Sequence, residues 1–557
     1  RSVGRRRCHP LVTYHLQGPR RSPAHSYQGP KVNAPLQIPE PSEYQSRIFE
    51  WVQRGRGNGF VEAVAGSGKT STIVHCATLL RSPALFLAFN KHIAKELSGR
   101  LRSTTVDVKT IHALGMKALR DDLGRKVDVK SDKMRELLKS SIATLVNRGQ
   151  LGELVVDEKH IEKMRKEKLD RHRGTLAALV NLVDKARIEL SDLSFEEDFD
   201  RIMATYAIDL HSTLLPYARE LGHMAIDMGV RMYQDKGLID FTDMIWLPAK
   251  LSLRPKRYAF VFVDEAQDLS RAQLELALSA CGPGGRMLFV GDPRQAIYGF
   301  AGADTRSVEK IIDRVTPEVM PLSVCYRCDR KIIALAKVLV PQIEPRPGAD
   351  PGDVRTSSRS RALQEMRDGD LVLCRTTAPL VSACFALIRS GISASVRGRD
   401  IGKSLVAVVD QVSRRRGYSF RDFAAHLGDW MTEALAKIAA EDASPAREEA
   451  LMESISDRYQ SIKVVWEASQ NLETTQDLIR TIEDLFAVED PAVSLSTIHR
   501  AKGLEADRVY VLRRDLMPHP MAKTDEARKQ EANLEYVCYT RAKHELVLID
   551  DDEEDEG

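Results

Sequence analysis

No stretch of the 557-residue chain approaches the roughly 18–20 consecutive apolar residues a membrane-crossing helix needs, which argues against insertion in a bilayer. An excess of charge is also lacking. Lys and Arg number 82 against 79 Asp and Glu, so any nucleic-acid affinity must come from local basic surface and not from a global field. The eight cysteines have no repeated spacing and lie scattered among apolar segments, as free thiols of a reducing compartment do. Cys325 and Cys328 form a lone CxxC, without the second pair or nearby histidine that would complete a four-ligand zinc or iron–sulfur site. Acidic residues are missing from 1–39, where arginines and prolines abound. That composition cannot build a core and predicts a disordered basic tail over 1–38, either an organelle transit peptide or a start foreign to the natural protein. Solenoid-type repeats are absent too. The acidic run from Asp550 to Glu556 reads as a solvated tail.

What is present is a recurring short apolar run followed by polar or glycine-bearing residues. Such runs occur at Phe60–Ala63, Leu85–Phe89, Val106–Val108, Ala259–Val263, Met287–Val290, Leu371–Cys374, Arg508–Leu512 and Glu545–Ile549. Continuous short runs of this kind suit parallel strands buried on both faces, and the helical stretches between them make the class α/β. Two long segments, about Gly115–Gly237 and Gly398–Val488, show helical spacing throughout: Met134, Leu137, Leu138, Ile142 and Leu145 in the first, Phe423, Leu427, Trp430 and Met431 in the second. The expectation is two α/β blocks, each with a helical insertion.

Three segments carry chemistry. In FVEAVAGSGKTST (residues 60–72) a strand runs into a glycine-bearing loop and a helix, matching a phosphate-binding loop except that Ala63 replaces the first glycine. Backbone N–H groups around Ala65, Gly66, Ser67, Gly68 and Ser71 would close on phosphate, Lys69 would set a point charge on it, and the Thr70 hydroxyl would serve Mg²⁺. AFVFVDEAQD ends a strand in adjacent carboxylates, Asp264 for the Mg²⁺ shell and Glu265 for the attacking water. The third strand runs into GDPRQAIYGF, where Gln295 is expected to sense a γ-phosphate and Tyr298 and Phe300 either stack on bases or pack as core aromatics.

Taken in this order, the three segments resemble the motifs of the UvrD/Rep/PcrA helicases, superfamily 1A. The match continues through Tyr44-Gln45, LAFNKHIAKEL, TIHALG, IDFTDMI, LSVCYRC, VSLSTIHRAKGLEADRVYVL and LEYVCYTRAKHELVLI, spanning residues 45–549. The resemblance implies two RecA-like parallel-sheet motor domains, each with an α-helical insertion. The first would comprise 39–115 and 236–320 with insertion 116–235, and the second 321–397 and 489–549 with a short insertion 398–488. It further implies that Gln45 reads adenine, Tyr326 stacks on it, Glu505 holds ribose, and Arg327 and Arg541 reach the γ-phosphate from the second block. Phe89, Asn90, His112, Tyr298, Phe300, Thr497 and His499 would meet DNA, with His112 and His499 alternatively buried histidines that shape their loops. The chain departs from the pattern at Gly299 and Ala301, where relatives often carry arginine, and Phe89 is offset by one position. The short second insertion is similar to that of compact, viral-type members.

The implied activity is ATP- and Mg²⁺-dependent movement along single-stranded DNA, 3′→5′, with unwinding of tailed duplexes. The protein would act as a monomer or DNA-induced dimer, in the cytoplasm near a bacterial or viral chromosome, with organelle targeting as the alternative. A translocase that strips proteins without unwinding, and a DNA-binding module with a decayed ATP site, are the competing readings. A GTPase is disfavoured because Asn90-Lys91-His92-Ile93 lacks the aspartate of a guanine-reading NKxD.

Overall fold

The computed structural model describes residues 40–101, 105–148, 169–206, 208, 210, 214–297, 307–439, 445–469, 472–488, 491–520, 522 and 525–550. The basic segment 1–38, most of the acidic run, and Tyr298 and Phe300 lie outside the described residues.

Two parallel six-stranded sheets organise the chain. The first contains β1 (Gly59–Ala63), β2 (Ala84–Ala88), β3 (Val106–Thr110), β4 (Tyr258–Val263), β5 (Cys281–Gly291) and β6 (Glu318–Leu322), in the order β3-β2-β4-β5-β1-β6. The second contains β7 (Asp353–Ser358), β8 (Leu371–Cys374), β9 (Ala394–Val396), β10 (Val493–Thr497), β11 (Ala506–Leu512) and β12 (Ala542–Asp550), in the order β7-β12-β11-β8-β10-β9. All eight apolar runs of the sequence are strands, and the class is α/β with two RecA-like units.

The reason the runs are continuous rather than alternating is burial on both faces. Side chains of a strand point alternately to opposite faces. Phe86, Phe260 and Phe262 enter one apolar cluster with Ile48, Trp51 and Ile73, while their neighbours Leu85, Leu87, Val261 and Val263 enter another with Leu114, Leu274 and Phe289. The second sheet repeats the arrangement: Val372, Leu495 and Tyr510 face one side, Leu371, Leu373, Val509 and Val511 the other.

The two helical segments differ in how they are held. The first, with helices Lys133–Asn147, Leu169–Ile188, Glu196–Thr205 and Leu215–Lys236, builds a cluster around Leu138, Leu182 and Leu221 that also takes in Met244, Trp246 and Leu247 of the stretch entering β4. It is tied to the stretch entering β4 by buried ions: Lys133 Nζ lies 2.6 Å from Asp243 Oδ2, and Arg187 Nη1 2.9 Å from Asp240 and 2.8 Å from Asp243. Removing one partner of such a network leaves a buried charge uncompensated, a loss of about 3–5 kcal/mol. The second segment shares one core with the second sheet, Phe423, Leu427, Trp430, Ile462 and Leu478 packing with Val396, Leu495 and Leu512. Among the described residues no helix is long and apolar enough to cross a membrane.

Candidate active site between the two sheets

The phosphate-binding loop, the Asp264–Glu265 pair and the Asp292–Gln295 turn follow the carboxyl ends of β1, β4 and β5, the edge where open α/β sheets take ligands. The turn after β1 uses left-handed backbone at Gly66 (φ 67°) and Gly68 (φ 76°), and the helix Lys69–Leu79 begins with no side-chain cap. An uncapped helix N-terminus presents unsatisfied N–H groups and partial positive charge to an anion. Ser67 is buried and its Oγ has no hydrogen-bond partner, an orphan that a phosphate oxygen would satisfy. Two loop amides are already engaged. Ala65 N–H donates to Tyr536 Oη at 2.7 Å and Ser67 N–H to the Val64 carbonyl at 3.3 Å, so here neither amide is free for phosphate as the sequence pattern had suggested.

Lys69 Nζ lies 3.3 Å from Glu265 Oε2. Burial opposes the lysine's charge, but Glu265, Asp292 and Asp264 outweigh it and raise its pKa. Of the adjacent carboxyls, Asp264 is pushed up to about 7 by burial and by Glu265, and it accepts the Glu265 N–H at 2.9 Å. Burial would also raise Glu265, yet Lys69 and Lys502 hold it ionised, at about 2. Glu265 sits in the left-handed region (φ 49°, ψ 45°), a conformation that costs a non-glycine residue about 1–3 kcal/mol and persists where the surroundings over-determine it. Burial and the neighbouring lysines thus set the two carboxyls apart, Asp264 raised and Glu265 held charged.

Residues that the sequence reading missed hold these groups in place. Gln267 donates to Glu265 at 2.6 Å and accepts from Asp292 N–H at 3.1 Å, bridging the tips of β4 and β5. Asp292, buried, accepts from Gln295 Nε2 at 2.7 Å, so the Gln295 amide points into this network. Lys502, from the turn after β10, contacts Asp268 at 2.6 and 2.9 Å and the Gln295 carbonyl at 2.9 Å. The signal for Gln267, Asp268 and Asp292 was available in the DEAQD and GDPRQ runs; Lys502 and Tyr536 are legible only once the two sheets are brought together.

The second wall closes directly on the loop. Tyr326 N–H donates to the Gly66 carbonyl at 2.9 Å, and a Cβ placed on Gly66 would meet Arg327 Cβ at 2.6 Å and Cys325 Sγ at 2.9 Å. The same test at Gly68 finds Gln45 Nε2 and Tyr326 Cδ2 at 3.9 Å. Gln45 is buried, donates to Thr72 at 3.0 Å, and accepts from Tyr326 Oη at 3.3 Å and from Ser42 N–H at 3.0 Å within a capping box. Arg327 is paired with Glu505 at 2.7 Å and donates to the Thr540 carbonyl at 3.1 Å. Arg541 is buried, its guanidinium donating to Val537 O (2.9 Å), Leu504 O (3.2 Å) and Thr540 Oγ1 (3.3 Å), all within its own block. Burial and then the charge of Arg327 lower its pKa to about 10, so it stays cationic at neutral pH. Thr70 and Ser71 occupy the first turn of the loop helix. With Asp264, Thr70 forms an oxygen donor set of the hard kind Mg²⁺ prefers.

Of the residues expected to face DNA, Phe89, Asn90, His112, Thr497 and His499 are described, and they lie at or just beyond strand tips of both sheets. Phe89, at the end of β2, is 48% exposed. Asn90 spends its side-chain oxygen on capping the helix Lys91–Arg100. His112, half-buried, has its pKa lowered by burial and then by Lys91. Thr497 is buried at the end of β10 and its carbonyl closes the following turn, so it supports that turn more than it offers surface. His499, half-buried, is lowered to about 3 by burial, Arg375 and Arg500. Cys325 and Cys328 gather no further ligands, and no His/Cys/Asp/Glu cluster fit for a metal occurs among the described residues.

Comparison with known proteins agrees with this geometry. The family described as UvrD/REP helicase N-terminal domain matches residues 45–316, and that described as UvrD-like helicase C-terminal domain matches 492–549. The chain is similar to ATP-dependent DNA helicase PcrA of Bacillus subtilis, 23% identical over 52% of this chain and 38% of that protein. It is 27% identical to DNA helicase II of Escherichia coli over 29% of this chain and 25% of that one. With ATP-dependent DNA helicase UvrD2 of Mycobacterium tuberculosis it shares 26% identity over 90% of this chain and 77% of the relative. It therefore spans well under half the length of the first two and about three quarters of the third. The chain belongs to the UvrD/Rep family of helicases.

Proposed function

We propose that the chain is an ATP-dependent DNA helicase that moves 3′→5′ on single-stranded DNA and couples ATP hydrolysis to duplex unwinding. The observation that carries this reading is the approach of Tyr326 and Arg327, from beyond the first sheet, onto Gly66 of the phosphate-binding loop. Gly66, Ser67, Gly68 and Lys69 would hold the phosphates, and Tyr326 and Gln45 would receive adenine. Thr70 and Asp264 would hold Mg²⁺, which when bound polarises the phosphoryl oxygens. Glu265, kept charged, orients the attacking water. Arg327 exchanges Glu505 for the developing phosphoryl charge as the walls close, with Arg541 adding a second fixed cation behind it.

The coupling to DNA is proposed to run through Lys502. The turn that carries His499 also carries Lys502, which grips Asp268 and the Gln295 carbonyl, and Gln267 links that corner to Glu265. A shift of the turn under a DNA backbone would move the group that positions water. Stacking and backbone contacts are tolerant of sequence, as a motor on DNA requires. Strand displacement on 3′- and 5′-tailed duplexes tests the reading. Displacement from the 3′ tail alone is expected; DNA-stimulated ATPase without displacement would instead indicate a translocase that strips proteins, and displacement from the 5′ tail would overturn the polarity.

A further inference from the structure

The Cys325-x-x-Cys328 pair takes no part in the function proposed above, yet it brackets Tyr326 and Arg327. We propose that these cysteines form an oxidisable dithiol, converted by a hydroperoxide to an intrachain disulfide that distorts the Tyr326–Arg327 turn and weakens nucleotide binding. The consequence for nucleotide rests on the ATP site proposed above.

The geometry favours closure. The bend over 326–328 leads into the helix Arg330–Leu339, and the Cys328 N–H points at Cys325 Sγ at 3.5 Å while the Cys328 thiol donates to the Thr540 carbonyl at 3.7 Å. Contact with Cys328 and Arg327 outweighs burial and lowers the Cys325 thiol to about 6, while Cys328 is raised, which assigns Cys325 as the attacking sulfur and Cys328 as the resolving one. Burial raises the thiols of Cys76, Cys374, Cys384 and Cys538, so these stay inert.

The chemistry balances in two steps. The Cys325 thiolate attacks the hydroperoxide, breaking its O–O bond, to give a sulfenic acid and, after protonation, water or an alcohol. The Cys328 sulfur then displaces the sulfenic oxygen, which leaves as water with the Cys328 proton. The two thiols lose two electrons and two protons overall. A disulfide needs sulfurs about 2.05 Å apart, so the Cys328 thiol must leave the Thr540 carbonyl and be drawn toward Cys325. The turn has little slack for that movement. Cys325 Sγ and Arg327 Cβ both crowd Gly66, and Tyr326 N–H is bonded to the Gly66 carbonyl. Both cysteines are buried here, with the loop lying against Cys325, so the sulfur is uncovered when the cleft opens and covered when nucleotide holds it shut.

The test treats the full chain with hydrogen peroxide, with and without Mg²⁺ and the β,γ-imido analogue of ATP. Disulfide peptides are mapped by mass spectrometry, and affinity is measured with a fluorescent ATP analogue before and after dithiothreitol. Expected are a Cys325–Cys328 linkage that forms more slowly under nucleotide, and an affinity loss of about tenfold or more, restored by dithiothreitol. Cys328→Ser and Cys328→Ala should lose the linkage and the reversible response. No linkage, or a linkage with affinity changed less than about threefold, overturns the proposal. A reduced chain that binds no ATP analogue overturns the nucleotide reading instead, while the peptide map still reports on the dithiol.

Discussion

Replacing Gly66 by alanine probes the closest approach of the two walls. The new methyl would lie 2.6 Å from Arg327 Cβ and 2.9 Å from Cys325 Sγ, in backbone with φ 67°. Left-handed backbone costs a residue with a Cβ about 1–2 kcal/mol, and overpacking a fitted contact costs about 1–3 kcal/mol. The backbone cost falls on folding, while the overpacking, about 1–3 kcal/mol, falls on the arrangement in which the Tyr326–Arg327 turn meets the loop. ATP affinity should therefore drop at least about fivefold. Gly57 provides the control, because its φ of 71° is nearly the same while nothing lies within 4 Å of a Cβ there. Gly57→Ala should carry the backbone cost alone and leave nucleotide affinity unchanged. Titration of both variants with a fluorescent ATP analogue, alongside thermal melts, separates the terms. If Gly66→Ala bound nucleotide within about threefold of the parent, the tight apposition of the walls would have no part in gripping it.

Other outcomes follow from the same geometry. Lys69→Ala should remove measurable ATPase, whereas Glu265→Gln should keep nucleotide binding and slow hydrolysis about 100-fold or more in single-turnover assays. Tyr326→Ala should raise the ATP dissociation constant about 5- to 100-fold, the range of one lost base–aromatic stack, as read by the same titration. His499 is held neutral, its pKa lowered from 6.5 to about 3. A depressed folded pKa contributes stability that is present above pH 6.5 and is lost as pH falls toward 3, because the unfolded chain binds the proton more readily. His499→Gln should accordingly flatten the fall of melting temperature between pH 6.5 and pH 4, and an unchanged slope would show that the ring is protonated freely in the folded state.

The strands that the sequence revealed are those buried on both faces, where Leu85–Leu87 or Val261–Val263 must be apolar throughout. Most of the strands it concealed lie at sheet edges or are very short; the interior strand Val493–Thr497 is the exception, its serines breaking the apolar run. Glu318–Leu322 contains Pro321, Asp353–Ser358 is largely polar, and Ala394–Val396 has only three residues. Edge strands bury less and tolerate proline, so their pattern is weak. The site shows the same division. Gly66, Gly68, Lys69, Asp264 and Glu265 announce themselves because each sits in a contiguous run whose spacing reflects one strand tip. Tyr536 and Lys502 reach the site from 471 and 234 residues away from their partners Ala65 and Asp268, and contacts at such separation leave no local pattern. The shared core of the second helical segment escaped notice for a related reason: helical periodicity reveals an apolar face but not the surface it packs on.

The most direct measurement is the steady-state ATPase rate with and without single-stranded oligodeoxythymidine, since the account makes hydrolysis depend on a wall that DNA moves. It predicts stimulation of about tenfold or more, lost on adding salt that disrupts phosphate contacts. A rate indifferent to DNA would contradict it.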